Sequence, residues 1–266
     1  MSLIASELSW SVANRTVVDG VSLHVDTGTT VGLLGPNGAG KSSLLRLLAG
    51  VRTPSAGSVS VLDRPLESWR RKELARTVAV VEQQVSTEID LTVADVVGLG
   101  RIPHRSEWAG ATDGDQATVS EALRRTGLTE FADRRWHSLS GGERQLTQIA
   151  RALAQEPGYL LLDEPTNHLD VAHQLDVLDL VRREPVTSVL ALHDLNLAAL
   201  FCDRVVVLSE GRAVRAGTPA EVLTEELVGE VYRVRCEVTP TEPEGRPHIR
   251  FLPPKRTEAT LSTVDV

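Results

Sequence analysis

The feature that most constrains this chain is the run Val31-Gly32-Leu33-Leu34, which leads without a break into Gly35-Pro36-Asn37-Gly38-Ala39-Gly40-Lys41-Ser42 and Ser43. A short, continuous apolar stretch of this kind reads as a strand buried on both faces. The segment after it, Lys41 to Ala49, carries Leu44, Leu45, Leu47 and Leu48 and reads as a largely buried helix. Strand, glycine loop and helix therefore follow one another, the setting in which G-x-x-x-x-G-K-[ST] cradles phosphate. Glycines let the backbone curl around an anion without Cβ clashes. The amides from Gly38 to Ser43 then point inward at a helix amino terminus, where the dipole is positive. Lys41 neutralises β- and γ-phosphate charge, and the Ser42 hydroxyl is a ligand for Mg²⁺.

Four further runs are apolar and continuous rather than alternating: Val78 to Val81, Tyr159 to Leu162, Thr187 to Leu192 and Val205 to Leu208. They predict a mostly parallel sheet covered by helices on both faces. Leu3 to Val12 and Val17 to Val25 alternate weakly and read as a hairpin or edge sheet, with Asp26-Thr27-Gly28 as a turn signal. Between Leu91 and Gln155 helix formers dominate, and Leu146, Ile149, Ala150 and Leu153 fall on one helical face. The expected fold is α/β, with an amino-terminal antiparallel part and a helical subdomain inserted into the core. Residues 1–90 and 156–252 would form the core, residues 91–155 the insertion and residues 253–266 a flexible tail. Pro219 to Leu227 reads as helix and Val231 to Val238 as strand.

Composition narrows the function classes. The chain has 266 residues, 41% of them hydrophobic and 24% charged, the balance of a globular protein. Lys and Arg number 28 against 36 Asp and Glu, a formal charge of −8, so no global positive field is available for nucleic acid or anionic lipid. Cys202 and Cys236 are too few for a disulfide framework, and the start lacks the pattern of a secretory signal. The most apolar long window, Val186 to Leu208, is broken by His193, Asp194, Asn196 and Asp203. It therefore falls short of the roughly eighteen apolar residues that a spanning helix needs. A reducing cytosol is the expected compartment.

Two more motifs carry chemistry. Tyr159-Leu-Leu-Leu-Asp163-Glu164 delivers two carboxylates at the carboxyl end of a buried strand, where ligands bind in open α/β sheets. Asp163 is placed to hold Mg²⁺ directly or through water, and Glu164 to polarise an attacking water; capping of the next segment is the plainer alternative. Leu139-Ser140-Gly141-Gly142-Glu143-Arg144-Gln145 opens the periodic helix, with Ser140 as its N-cap and Glu143 completing a capping box. Ser140 with the glycine amides also makes a second anion site. Two phosphate-binding helix termini on separate lobes are most economically used on a shared nucleotide, gripped by the loop of one copy and the Ser140-Gly141-Gly142 turn of another.

The order of phosphate loop, glutamine, LSGGERQ, apolar-DEP and downstream histidine resembles the nucleotide-binding subunit of ATP-binding cassette (ABC) transporters, over about Leu3 to Leu252. The resemblance implies a P-loop NTPase core, MgATP hydrolysis, a homodimer, a separate membrane permease and, indirectly, an extracytoplasmic solute-binding protein. It places the chain peripherally on the cytoplasmic face of the membrane, with no nucleic-acid partner. Residue by residue, it implies that Ser140, Gly141 and Gly142 meet γ-phosphate in trans. Asp163 holds the metal and Glu164 is the general base. Gln83 is the lid glutamine that meets Mg²⁺ and water, His193 the switch on γ-phosphate, and Asp170 the D-loop aspartate at the dimer seam. Relatives usually stack an aromatic on adenine at the position of Val12; here Val12 packs on the ring, or Trp10, two residues earlier on the same strand face, substitutes, or Trp10 is purely structural. Glu82, before Gln83, stands where proline is common and receives no role.

Gly100-Arg101-Ile102-Pro103-His104-Arg105 reads as a helix stop after Val93 to Leu99. It also resembles a segment of ATPases that serve importers of ferric siderophores, haem and cobalamin, as does the stretch from Glu221 to Leu227 and on through Gly245 to His248. Ferric siderophore is the expected cargo, with haem and cobalamin as alternatives. A soluble cassette acting on ribosomes or DNA is a rival of another class; the acidic balance, the single cassette and the lack of a long coiled-coil insertion stand against it. A small-molecule kinase leaves LSGGERQ unexplained.

Overall fold

The computed structural model describes residues 2–82, 90–106, 110–241 and 245–254. β1 (Ser2–Val12) and β2 (Arg15–Asp26) pair antiparallel around Ala13 and Asn14, both at positive φ, the turn whose twist suits a tight hairpin. The signal at Asp26-Thr27-Gly28 marks the exit from β2, where the Thr29 amide donates to the Asp26 carbonyl, 3.2 Å. β3 (Thr30–Leu34) and α1 (Lys41–Leu48) flank the glycine loop. β4 (Ala56–Val61), β5 (Arg64–Pro65), α2 (Arg71–Thr77) and β6 (Val78–Val81) follow. Three helices, α3 (Val93–Gly98), α4 (Asp113–Arg125) and α5 (Gly141–Ala154), lie between β6 and β7 (Tyr159–Asp163). The chain continues through α6 (Val171–Arg183), β8 (Thr187–Ala191), α7 (Leu195–Phe201), β9 (Arg204–Ser209) and β10 (Arg212–Gly217). Last come α8 (Pro219–Val222), α9 (Glu225–Tyr232), β11 (Arg235–Thr241) and β12 (Arg246–Leu252).

The central sheet has the order β10-β9-β3-β8-β7-β6, parallel except for β10. A separate antiparallel sheet, β2-β1-β4-β5, accounts for the amino-terminal part, so the fold is the expected α/β arrangement. Every residue of β3, β7 and β8 is buried, and successive side chains alternate between two apolar cores. Val31, Leu33, Tyr159, Leu161 and Val189 join α1 and the antiparallel sheet, whereas Leu34, Leu160, Leu162 and Leu190 join the helices of the other face. Burial on both faces explains why these strands read as unbroken apolar runs.

The segment after β10 corrects the sequence reading. Residues 219–227 are two helices, because Leu223 leaves helical geometry at ψ 72 and the Thr224 hydroxyl caps α9 by accepting from the Leu227 amide, 3.2 Å. Residues 231–238 straddle a helix end and a strand, since Arg233, at φ 58, reverses the chain after Tyr232.

The Gly100–Arg105 segment does more than stop a helix. A Cβ on Gly100 would lie 2.1 Å from the Arg151 carbonyl oxygen, so only glycine lets this turn rest on α5. Arg101, buried beside it, donates to Asp115 Oδ1 at 2.9 Å, to the Ala154 carbonyl at 2.7 Å and to Glu156 at 2.6 Å. His104 hydrogen-bonds with the Gln155 carbonyl, 2.9 Å, and the Gln155 side-chain amide donates to the Val78 carbonyl, 3.0 Å. The Arg101 guanidinium, helped by the Thr112 amide and Arg105, holds the Asp115 carboxyl well below the usual carboxylate range. The segment thus clasps the three inserted helices to the edge of the central sheet. Gly100→Ala is expected to lower the melting temperature by more than about 5 °C, because either the turn or α5 must shift. Gly114→Ala, at the exposed start of α4 with only Thr112 Oγ1 near at 3.7 Å, should leave it unchanged or slightly raised. Differential scanning calorimetry of the two variants checks the contrast.

Candidate functional site

At the end of β3 the chain turns at Gly35, φ 141, where a Cβ would come within 2.2 Å of the Leu208 carbonyl oxygen on β9. At Gly40, φ 99, a Cβ would lie 2.6 Å from the Val17 carbonyl oxygen on β2. Glycine is therefore required at both ends of the loop by backbone geometry and by contact. Between them the loop lines a cavity of about 160 Å³ with Asn37, Gly38, Ala39, Lys41, Ser42, Ser43, Val17 and Glu164. Lys41 is buried, and its Nζ donates to the Gly35 carbonyl at 2.7 Å and the Pro36 carbonyl at 3.3 Å. Burial lowers its pKa, while the charges of Glu164 and Asp163 work against that fall.

β7 carries Asp163 to the same place. The Ser42 hydroxyl donates to Asp163 Oδ1 at 2.7 Å, and Arg46, one turn further along α1, stands 3.8 Å from Asp163 Oδ2. Burial pushes the Asp163 carboxyl up, against the Ser42 hydrogen bond and the Arg46 charge. Glu164 follows in left-handed geometry, φ 52, with its amide donating to the Ala191 carbonyl, 3.1 Å. Left-handed backbone in a non-glycine residue is a local strain that functional sites often hold. The Glu164 carboxylate is held by the Asn167 side-chain amide and by Nε2 of His193, two residues beyond β8. His193 and Glu164 thus meet at the mouth of the loop, a contact that the order of the motifs did not specify.

A hydroxyl and a carboxylate oxygen in contact beside a phosphate loop form a hard, all-oxygen donor set that fits Mg²⁺. Among the described residues no group of three or more His, Cys, Asp or Glu is arranged to hold a metal by itself. The fit is to an ion completed by phosphate oxygens and water.

The Ser140-Gly141-Gly142 turn is elsewhere. Ser140 caps α5 by accepting from the Glu143 amide, 3.2 Å, and Glu143 reaches back to the Ser140 amide, 2.7 Å, which holds the Glu143 carboxyl low. Ser140 and Gly141 are exposed, and none of the three residues lines the phosphate cavity of their own chain. Asp170 caps α6 through Oδ1, which accepts from the His173 amide at 2.9 Å and pairs with His173 Nδ1 at 2.8 Å.

Gln83 lies outside the described residues. Val12 ends β1 at 47% exposure and does not line the phosphate cavity; Val17 does. Trp10 carries the Arg52 guanidinium over its ring at 4.1 Å. Residues to which the sequence reading gave no role are Arg46, Asn167 and Val17. Arg46 follows Ser42 by one helical turn and Asn167 follows Glu164 by three residues, spacings that point at the same centre. Glu82 faces Arg46 Nε at 3.8 Å, linking the end of β6 to α1.

Comparison with known proteins bears on the family and the fold. Residues 18–167 match the family model described as ABC transporter. The chain is 44% identical over 249 residues to a hemin import ATP-binding protein of Thermobifida fusca, covering 91% of this chain and 86% of that protein. It is 41% identical over 270 residues to a cobalamin import ATP-binding protein of Halobacterium salinarum, covering 100% of this chain and 67% of that protein. A ferric enterobactin transport ATP-binding protein of Escherichia coli is 36% identical over 249 residues, with 92% of each chain covered. Among solved structures, an inward-facing metal-chelate type ABC transporter superposes with TM-score 0.82 at 28% identity, covering 95% of this chain and 96% of that one. No helix among the described residues is long and apolar enough to cross a membrane.

Because Asp163 is buried with its pKa raised, its charged form is the strained one in the nucleotide-free protein. Asp163→Asn should raise the melting temperature of that form by about 3 °C at pH 7–8. The gain should shrink as pH falls towards the raised carboxyl range, where the wild-type side chain is itself neutral. Thermal melts across pH, without nucleotide, check the sign.

Proposed function

The chain belongs to the ABC transporter ATP-binding family, and from that membership we propose how its site works and what it serves. It is an ABC-type ATPase, the ATP-binding subunit of an importer of the iron-chelate, haem or cobalamin class. In our reading the triphosphate enters the cavity between Gly35 and Ser43, and Lys41 exchanges the Gly35 and Pro36 carbonyls for phosphate oxygens. Ser42 and Asp163 would hold Mg²⁺, with Gln83 as the further ligand that the family resemblance implies; when bound, the ion would neutralise phosphate charge. Glu164 accepts a proton from the attacking water as oxygen bonds to the γ-phosphorus and the bond to the β-γ bridging oxygen breaks. His193 and Asn167 fix the Glu164 carboxylate for that transfer.

The observation that carries the two-copy arrangement is the separation within one chain. The phosphate cavity takes nothing from residues 140–142, while Ser140 and Gly141 face solvent with a capped helix behind them. A second copy supplies the missing wall, Asp170 lies at the seam, and closure on two MgATP molecules is reversed after hydrolysis. The work passes through the surface around Gln83 and α3–α5 to a permease's cytoplasmic helices, so the subunit sits peripherally on the cytoplasmic face. A solute-binding protein on the far side delivers the cargo, which we propose is a ferric siderophore. Haem is the second reading, favoured by the 44% identity to the hemin import relative.

Glu164→Gln should retain ATP binding, lose more than about 100-fold in turnover and accumulate as a nucleotide-dependent dimer. Steady-state hydrolysis with sedimentation at matched ATP reads both effects, and wild-type turnover in the variant would remove Glu164 as the base. Cargo is read by uptake of labelled ferric siderophore, haem and cobalamin in cells lacking this chain. Loss of siderophore uptake alone is the expected result, and loss of haem uptake alone would replace it with the second reading.

A further inference from the structure

We propose that His173 is a positioning residue for the trans phosphate-binding turn, seating Gly142 from behind and tying it to the segment that carries Glu164 in the same chain. This inference rests on the two-copy reading above. A Cβ built on Gly142 would lie 2.6 Å from His173 Cδ2 and 3.0 Å from Cγ, so the imidazole lies flush against the glycine. A side chain at position 142 would therefore have to displace the His173 ring, a constraint internal to this chain before a nucleotide is considered. The ring is held by the Asp170 carboxylate, 2.8 Å from Nδ1, and the same oxygen caps α6. At the same turn, Arg134 stands 3.3 Å from Glu143, whose carboxylate holds the Ser140 amide. The turn is thus held by the Arg134–Glu143 pair and by the Asp170–His173 pair.

The stretch from Glu164 to Gln174 is braced as one piece. Asn167 binds the Glu164 carboxylate, its amide donates to the Glu164 carbonyl at 3.2 Å, and the Gln174 side chain donates to the Thr166 and Leu169 carbonyls, each at 3.2 Å. In a two-copy assembly the Glu164 and the Ser140-Gly141-Gly142 turn of one chain serve different ATP molecules. His173 is then the physical link through which the state of one site sets the position of the turn at the other. Such coupling requires an element that both sites bias, and the braced 164–174 segment is that element.

His173→Ala in the Glu164→Gln chain is the test, with His173→Phe, which keeps a ring but loses the bond to Asp170, and His173→Asn, which keeps a donor but loses the ring. Two quantities are read at increasing ATP: binding of a fluorescent ATP analogue to dilute monomer, and dimer formation by sedimentation. Monomer affinity should be unchanged in all three, because His173 is absent from the phosphate cavity. The ATP concentration for half-maximal dimerisation should rise about tenfold for Ala, the effect of a displaced contact worth a factor of ten in affinity. Phe and Asn should each recover part of it. In chains with native Glu164, His173→Ala should lower kcat without weakening monomer binding. Dimerisation of the Ala variant at the parent's ATP concentration would overturn the inference and leave the two-copy reading standing. A parent chain that never dimerises with ATP would overturn both.

Discussion

The close approach of the glycine loop to two neighbouring strands is the constraint on which the site depends. Gly35 is pressed against the Leu208 carbonyl of β9 and Gly40 against the Val17 carbonyl of β2. Neither position has room for a side chain, so the loop is fixed from both ends before any ligand arrives. That fixed curve delivers Lys41, Ser42 and the helix amino terminus to one point, and β7 delivers Asp163 and Glu164 to the same point. A preorganised site of this kind spends little on ordering when phosphate binds.

The nucleotide-free site already satisfies its own polar groups. Lys41 rests on loop carbonyls, Ser42 on Asp163, and Glu164 on Asn167 and His193. In the proposed mechanism the Lys41 and Ser42 bonds are exchanged for ligand contacts, whereas the two bonds to Glu164 are kept and orient its carboxylate. The raised pKa of Asp163 and the lowered pKa of Lys41 have one origin, desolvation, and both are relieved by a ligand of the opposite charge. Stability given up without ligand thus becomes selectivity for a phosphate and its cation.

Much of this was legible in the sequence where local patterns and tertiary context agree. β6 matches the apolar run from Val78 to Val81 residue for residue, since a strand buried on both faces has no alternative period to obscure it. The capping box at Ser140 and Glu143 was legible for the same reason: a local bond makes it. What escaped was set by long-range packing or by unusual backbone. The hairpin turn uses Ala13 at φ 43, a residue that carries no turn signal, and α9 ends at Arg233 rather than at a glycine. The Gly100–Arg105 segment read as punctuation because its partners, Asp115, Ala154 and Gln155, are distant in sequence. His173 was invisible for the same reason, since only the fold lays its ring against Gly142.

The central claim is that each ATP is held between the loop of one chain and the Ser140-Gly141-Gly142 turn of another. Its most direct measurement is complementation between two inactive chains, Lys41→Ala and Ser140→Arg. Each alone should hydrolyse almost no ATP. Mixed, they can form a heterodimer with one intact composite site, and activity should reappear in proportion to its share. Silence at every mixing ratio, with heterodimers shown to form, would contradict the account.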